Sequence, residues 1–176
     1  MRVIRFAMGL IAFVACSSAD QPPTTVVPGS DADQMLFGLS LVVTSDGLIR
    51  VVLEADTAYQ YEARQVSELR GLTVHFYNNF GERTSTLTAR EGTYDWRTED
   101  MEARGDVVAT TPDQRRLSTE ILIFTMATNK ISGSEPFVFT APDQRLVGES
   151  FTSDPAFKNV VALRPSGTLG RLDLDR

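Results

Sequence analysis

One pattern constrains this chain above all others, because it returns three times: an alternating apolar strand, a polar turn and another strand. It runs first from Ala55-Asp56-Thr57-Ala58-Tyr59 to Gly71-Leu72-Thr73-Val74-His75-Phe76, then from Arg90-Glu91-Gly92-Thr93-Tyr94 to Gly105-Asp106-Val107-Val108. The third copy links Ile121-Leu122-Ile123-Phe124 to Gly133 and Phe137-Val138-Phe139. Two near-identical turns, Thr111-Pro112-Asp113-Gln114-Arg115 and Ala141-Pro142-Asp143-Gln144-Arg145, lie 30 residues apart. A fixed period of that size marks a structure built by stacking one supersecondary unit. Here the stack is all-β and antiparallel, and it buries a long apolar trough, which suits carrying or bridging better than bond chemistry.

Strand signals fall at 35–43, 48–53, 57–61, 69–78, 83–89, 92–96, 100–104, 106–110, 116–124, 130–132, 137–140 and 144–148. Turns are expected at Asp46-Gly47, Asn78-Asn79-Phe80-Gly81, Arg97-Thr98-Glu99-Asp100 and Pro112-Asp113, where the residue types demand them. No stretch keeps a 3.6-residue period for long, and 154–161 has room for one helical turn at most. Within the strands, Leu72, Val74 and Phe76 sit two apart while Thr73, His75 and Tyr77 point the other way; Leu122 with Phe124, and Phe137 with Phe139, repeat this. Taken singly, each of these seven apolar side chains is a core residue. In an unclosed antiparallel stack the same face lines a cleft, so Leu72, Val74, Phe76, Leu122, Phe124, Phe137 and Phe139 are the candidate lining of an apolar groove.

At 176 residues and 42% hydrophobic content the chain can build one ordinary domain. The formal charge of −6 leaves no basic face to follow a phosphate backbone, so nucleic acid is not an expected partner. The start reads as an export signal: Arg2 and Arg5, an apolar stretch over 6–14, then Ala15-Cys16. Phe13-Val14-Ala15-Cys16 resembles the lipobox of bacterial lipoproteins, which makes Cys16 the candidate lipidation site and 1–15 a signal peptide; a plain signal peptide or an uncleaved anchor are the alternatives. Cys16 is also the single cysteine, so no internal disulfide can form and the domain must rest on burial and strand ladders. The polar, Pro-rich segment that follows cannot fold and reads as a tether over 16–34. The β domain is expected over 35–155 and a C-terminal tail over 156–176, with Pro165-Ser166-Gly167 suggesting a loose end.

Nothing in the sequence assembles a catalytic constellation. The one histidine, His75, lies on the polar face of its strand, so neither a His-dependent triad nor a multi-histidine metal site can form. Glu99, Asp100 and Glu102 cluster in a turn region and read as a solvated surface. No phosphate-binding loop of the G-x-x-x-x-G-K type is present. The chain is therefore read as a non-enzyme without cofactor or metal.

In order and spacing, the hydrophobic N-terminus, short tether, Asp46-Gly47, Leu53-Glu54-Ala55-Asp56, Leu87-Thr88-Ala89, Gly105-Asp106-Val107-Val108, Leu117-Ser118-Thr119-Glu120, and Gly148 before Phe151 resemble LptC. This is the family of periplasmic, membrane-attached components of the lipopolysaccharide export machinery, related to OstA-type domains. The resemblance implies a twisted β-jelly roll with an apolar groove for the acyl chains of lipid A, the seven residues above becoming lipid-groove candidates. It further implies strand-to-strand pairing with the permease subunits of an ABC exporter and with a periplasmic OstA-like protein. Family members carry an inner-membrane helix where this chain has Cys16, whereas Ser17 is the residue type that favours outer-membrane sorting, so the membrane of attachment differs between the two signals. The function expected is that of a periplasmic bridge in lipopolysaccharide export; the alternative is a structural or adhesive β-rich lipoprotein, and a third possibility is a chaperone with a closed lipid cavity.

Overall fold

The computed structural model describes residues 31–45 and 47–168. Twelve strands follow one another: β1 (Gln34–Ser45), β2 (Leu48–Tyr61), β3 (Val66–Tyr77), β4 (Arg83–Asp95), β5 (Met101–Thr110), β6 (Arg116–Thr125), β7 (Lys130–Gly133), β8 (Phe137–Ala141), β9 (Gln144–Gly148), β10 (Ser150–Ser153), β11 (Val161–Leu163) and β12 (Ser166–Thr168). All pair antiparallel in one sheet, and a single 3-10 turn, Met126–Thr128, joins β6 to β7. The expected all-β jelly roll is therefore the fold. No helix among the described residues is long and apolar enough to cross a membrane.

The long strands fold over themselves, and this accounts for the breaks read in the sequence. In β2 the buried positions are Val51, Leu53 and Ala55, then Ala58; in β3 they are Ser67 and Leu69, then Leu72, Val74 and Phe76. In β4 they shift from Ser85 and Leu87 to Gly92 and Tyr94, and in β6 from Leu117 and Thr119 to Leu122 and Phe124. Each strand thus slips its two-residue alternation by one at a common crease. Gly38, Gly71 and Gly105 mark that crease with φ of 62, 66 and 75°, a region open to glycine at little cost. The ladders also lose register there, between Thr88 and Glu91 and between Arg104 and Val107, as bulges do where a sheet must bend. The crease is why segments expected as separate strands (48–53 and 57–61, 83–89 and 92–96, 100–104 and 106–110) are single strands β2, β4 and β5.

Bending at the crease produces two layers whose apolar faces meet. Beyond β6 the sheet forks: residues 123–125 pair with β7, which leads to β10 and β11, while residues 116–119 pair with β8, which leads to β9 and β12. The repeated turns 111–115 and 141–145 are neighbouring hairpin tips of the same layer. Part of the segment expected as a tail belongs to the sheet: β11 pairs with β10, and β12 with β9. The ladder resumes on the far side of Pro165, over 166–168, and the rest of the expected tail, 169–176, lies outside the described residues. Residues 154–159 form a turn, with no helix.

Candidate functional site

The trough between the layers is the site to which the sequence pointed, and its two ends differ. All seven groove candidates face inward and are buried: Leu72, Val74, Phe76, Leu122, Phe124, Phe137 and Phe139. They come from both layers and meet ring on ring. Phe76 stands edge-on to Phe124 at 5.0 Å, and Phe137 tilts against Phe151 at the same centroid separation. Each ring of the second pair lies over a glycine on a neighbouring strand. A Cβ on Gly148 would stand 2.7 Å from Phe137, and one on Gly133 would stand 2.4 Å from Phe151, so neither position has room for a side chain.

A strap over residues 154–159 covers the seam beside these rings. Its Asp154 carboxylate accepts hydrogen bonds from the amides of Ala156 (2.9 Å), Lys158 (3.3 Å) and Asn159 (3.0 Å). The Ser85 hydroxyl donates to the Pro155 carbonyl at 2.6 Å, and Arg115 Nη1 donates to the carbonyls of Ala156 and Phe157 at 3.3 and 3.2 Å. The strap thereby holds Phe157, at φ 52°, buried against Phe139. A bulky residue in the left-handed region costs on the order of 1–3 kcal/mol and persists only where its surroundings compensate.

Open space lies toward the β1 end. A cavity of about 370 Å³ is lined by Leu39, Leu41, Leu53, Leu69, Tyr94 and Trp96, with Gln60 and Ser67 as its polar members. An apolar hole of ~150 Å³ accepts benzene, so this one has room for about one acyl chain. The half-buried Trp96 indole N–H donates to the buried Ser67 hydroxyl at 2.8 Å, which gives both groups a partner and fixes the ring at the wall. Burial pushes the Tyr94 phenol pKa up, with the carboxylates of Glu99 and Asp95 adding to the effect, so the wall carries no charge there. None of the seven sequence candidates lines this cavity; Phe124 borders a void of only about 10 Å³ beside it. Leu69, Tyr94 and Trp96 escaped the sequence reading because they lie past the crease, where the inward parity has changed.

The outer surface carries ordinary polar pairs. His75 Nδ1 lies 3.1 Å from the Thr86 hydroxyl and Nε2 lies 3.9 Å from Glu54. Asp100 accepts the Met126 amide at 2.9 Å and Glu102 pairs with Arg104, so the acidic turn region has structural partners. Among the described residues no group of three or more His, Cys, Asp or Glu could hold a metal ion. Cys16, the signal segment over 1–15 and most of the tether lie outside the described residues.

Three comparisons bear on this architecture. A family model described as "Lipopolysaccharide-assembly, LptC-related" matches residues 5–154. The crystal structure of LptH from Pseudomonas aeruginosa, described as the LptA-homologous periplasmic component of the lipopolysaccharide transport device, superposes with a TM-score of 0.55 at 13% identity. That match covers 69% of this chain and 95% of LptH, and it carries the fold alone. No curated protein matches the chain in sequence.

Proposed function

This chain belongs to the LptC family of lipopolysaccharide-assembly proteins, and on that premise we propose that it is a periplasmic bridge component of lipopolysaccharide transport. Acyl chains of lipid A lodge between the two layers, in the cavity walled by Leu41, Leu69, Tyr94 and Trp96, and pass along the trough to the next protein. The observation that carries this reading is the cavity itself: a mainly apolar space of about 370 Å³ between the layers. Each methylene withdrawn from water there contributes about 0.8 kcal/mol. That gradient holds a chain without chemistry, and the energy for movement comes from an ATPase complex to which the protein is coupled.

The ends of the sheet supply the couplings. Among the described residues β1 has one strand neighbour, β2, and β11 and β12 likewise have one each. Such edges take up a partner strand, whose backbone hydrogen bonds give affinity while side chains set register. The partners proposed are permease subunits of an ABC exporter at one end and a periplasmic OstA-like protein at the other. Cys16 carries the lipid that holds the tether to a membrane. The seven buried groove candidates form the inner lining beyond the cavity, contacted as a chain advances.

The test fills the cavity. Leu41→Trp, at a half-buried wall position, adds apolar volume at the open face without creating a hole. Cells relying on this variant, present at the normal level, should retain lipopolysaccharide at the inner membrane; normal surface lipopolysaccharide would contradict the proposal.

A further inference from the structure

A second recess opens on the seam of the sandwich, where hairpin tips meet the strap. Arg50, Asn78, Asn79, Phe80, Thr84 and Asn129 surround it, and it encloses about 320 Å³. Its inner wall is Phe76, a buried side chain of the trough, so the recess and the groove share one residue. Its outer wall is the Phe80 ring on the β3–β4 turn, 88% exposed. The hydrogen bonds of the turn do not involve that ring: the Asn78 side-chain oxygen accepts the amides of Phe80 and Glu82, and backbone bonds between Asn78 and Gly81 and between Asn78 and Glu82 complete it. Arg50 reaches across from β2 to the Asn79 side-chain oxygen, which fixes the guanidinium at the rim.

We infer that this recess receives the sugar headgroup of the amphiphile whose acyl chains occupy the trough. The inference rests on the proposed function and adds to it the contact outside the apolar interior. Amide and guanidinium donors beside an exposed aromatic face are the chemistry that recognises a saccharide: hydroxyls meet the polar groups, and the C–H face of the ring covers the phenyl. The recess holds one guanidinium and one carboxylate, that of Asp154, whose oxygens already accept amides of the strap. It therefore presents no net field that would select an anion, and sugar is favoured over phosphate. Because Phe76 belongs both to the recess and to the apolar face of the trough, a headgroup held in the recess lies one side chain from the apolar interior.

The experiment measures binding of two probes to the full chain, purified in a detergent without a sugar headgroup: lipopolysaccharide of short core and the fatty acid dodecanoate. Phe80→Ser should weaken lipopolysaccharide binding about tenfold, as loss of one covered aromatic side chain does, and leave dodecanoate unchanged. Arg50→Ala should act in the same direction, and the Phe80→Ser loss should persist with lipopolysaccharide stripped of its phosphates. Unchanged lipopolysaccharide affinity in both variants, an equal loss for dodecanoate, or a loss that vanishes with the phosphates would each overturn the inference. An unaltered chain that binds neither probe would instead remove the transport reading, and the headgroup site with it.

Discussion

Phe137 and Gly148 are register partners on β8 and β9, and the ring of the first occupies the space that any side chain on the second would need. The Leu163 carbonyl closes the same space from β11, 3.0 Å from where a Cβ would sit. Gly148 is thus required by the packing at the fork of the sheet. Gly148→Ala should destabilise the domain by about 1–3 kcal/mol, the usual range for overpacking. Thermal unfolding of this variant in a Phe137→Leu background tests the cause: the glycine penalty should shrink once the ring is gone, and an unchanged penalty would place it elsewhere.

The strap gives a second expectation. Arg115→Ala removes both donors to the Ala156 and Phe157 carbonyls. Amide exchange over residues 154–159 should then quicken markedly while β2 and β3 keep their protection, since local opening draws on local contacts. Uniform loss of protection would mean that the strap unfolds only with the whole domain.

Two turns depend on carboxylates whose pKa is lowered. The amides of Thr98 and Arg97 hold Asp95 below its ordinary 3.8, and the Thr111 hydroxyl, with Arg115 nearby, does the same for Asp113. A lowered folded pKa supports the fold fully above 3.8, and that support is lost as pH falls through the folded value. Titration by NMR should therefore place both carboxyl midpoints under 3.8, with the Thr98 amide signal moving together with Asp95; midpoints at or above 3.8 would show that these hydrogen bonds do not persist in solution.

Trp96 is the single tryptophan and stands in the cavity wall. Its fluorescence should shift to the blue and saturate on titration with lipopolysaccharide, and Leu41→Trp, though it adds a second emitter, should abolish the saturable change. A Trp96 signal indifferent to the ligand would mean that chains lodge elsewhere.

Much of the fold was legible in the residues. Alternation in Leu72, Val74 and Phe76 or in Phe137 and Phe139 identified strands and their inward faces, and Thr111-Pro112-Asp113 and Ala141-Pro142-Asp143 identified matching tips. The crease was not legible as a crease. Asp56, Gly71, Glu91 and Asp106 interrupt the alternation, and a one-residue slip in a continuous strand looks in sequence like an end followed by a new beginning. The same slip hid the open part of the site, because it is the change of parity that turns polar Gln60 and Ser67 toward the cavity; that change, counted strand by strand, is the signal that could have found them. The fork was hidden for a different reason: β6 pairs with β8 and β7 with β10, contacts between distant segments that local pattern does not encode.

The account turns on whether glycolipid chains lie between the layers. Photo-crosslinking side chains placed singly at Leu41 and Trp96 in the cavity wall, at Phe76 and Phe124 deeper in the trough, and at outward-facing Thr73 would decide this in cells making lipopolysaccharide. Adducts should be abundant at Leu41 and Trp96, detectable at Phe76 and Phe124, and at background level at Thr73. Adducts as frequent at Thr73 as at Leu41 and Trp96 would contradict the groove.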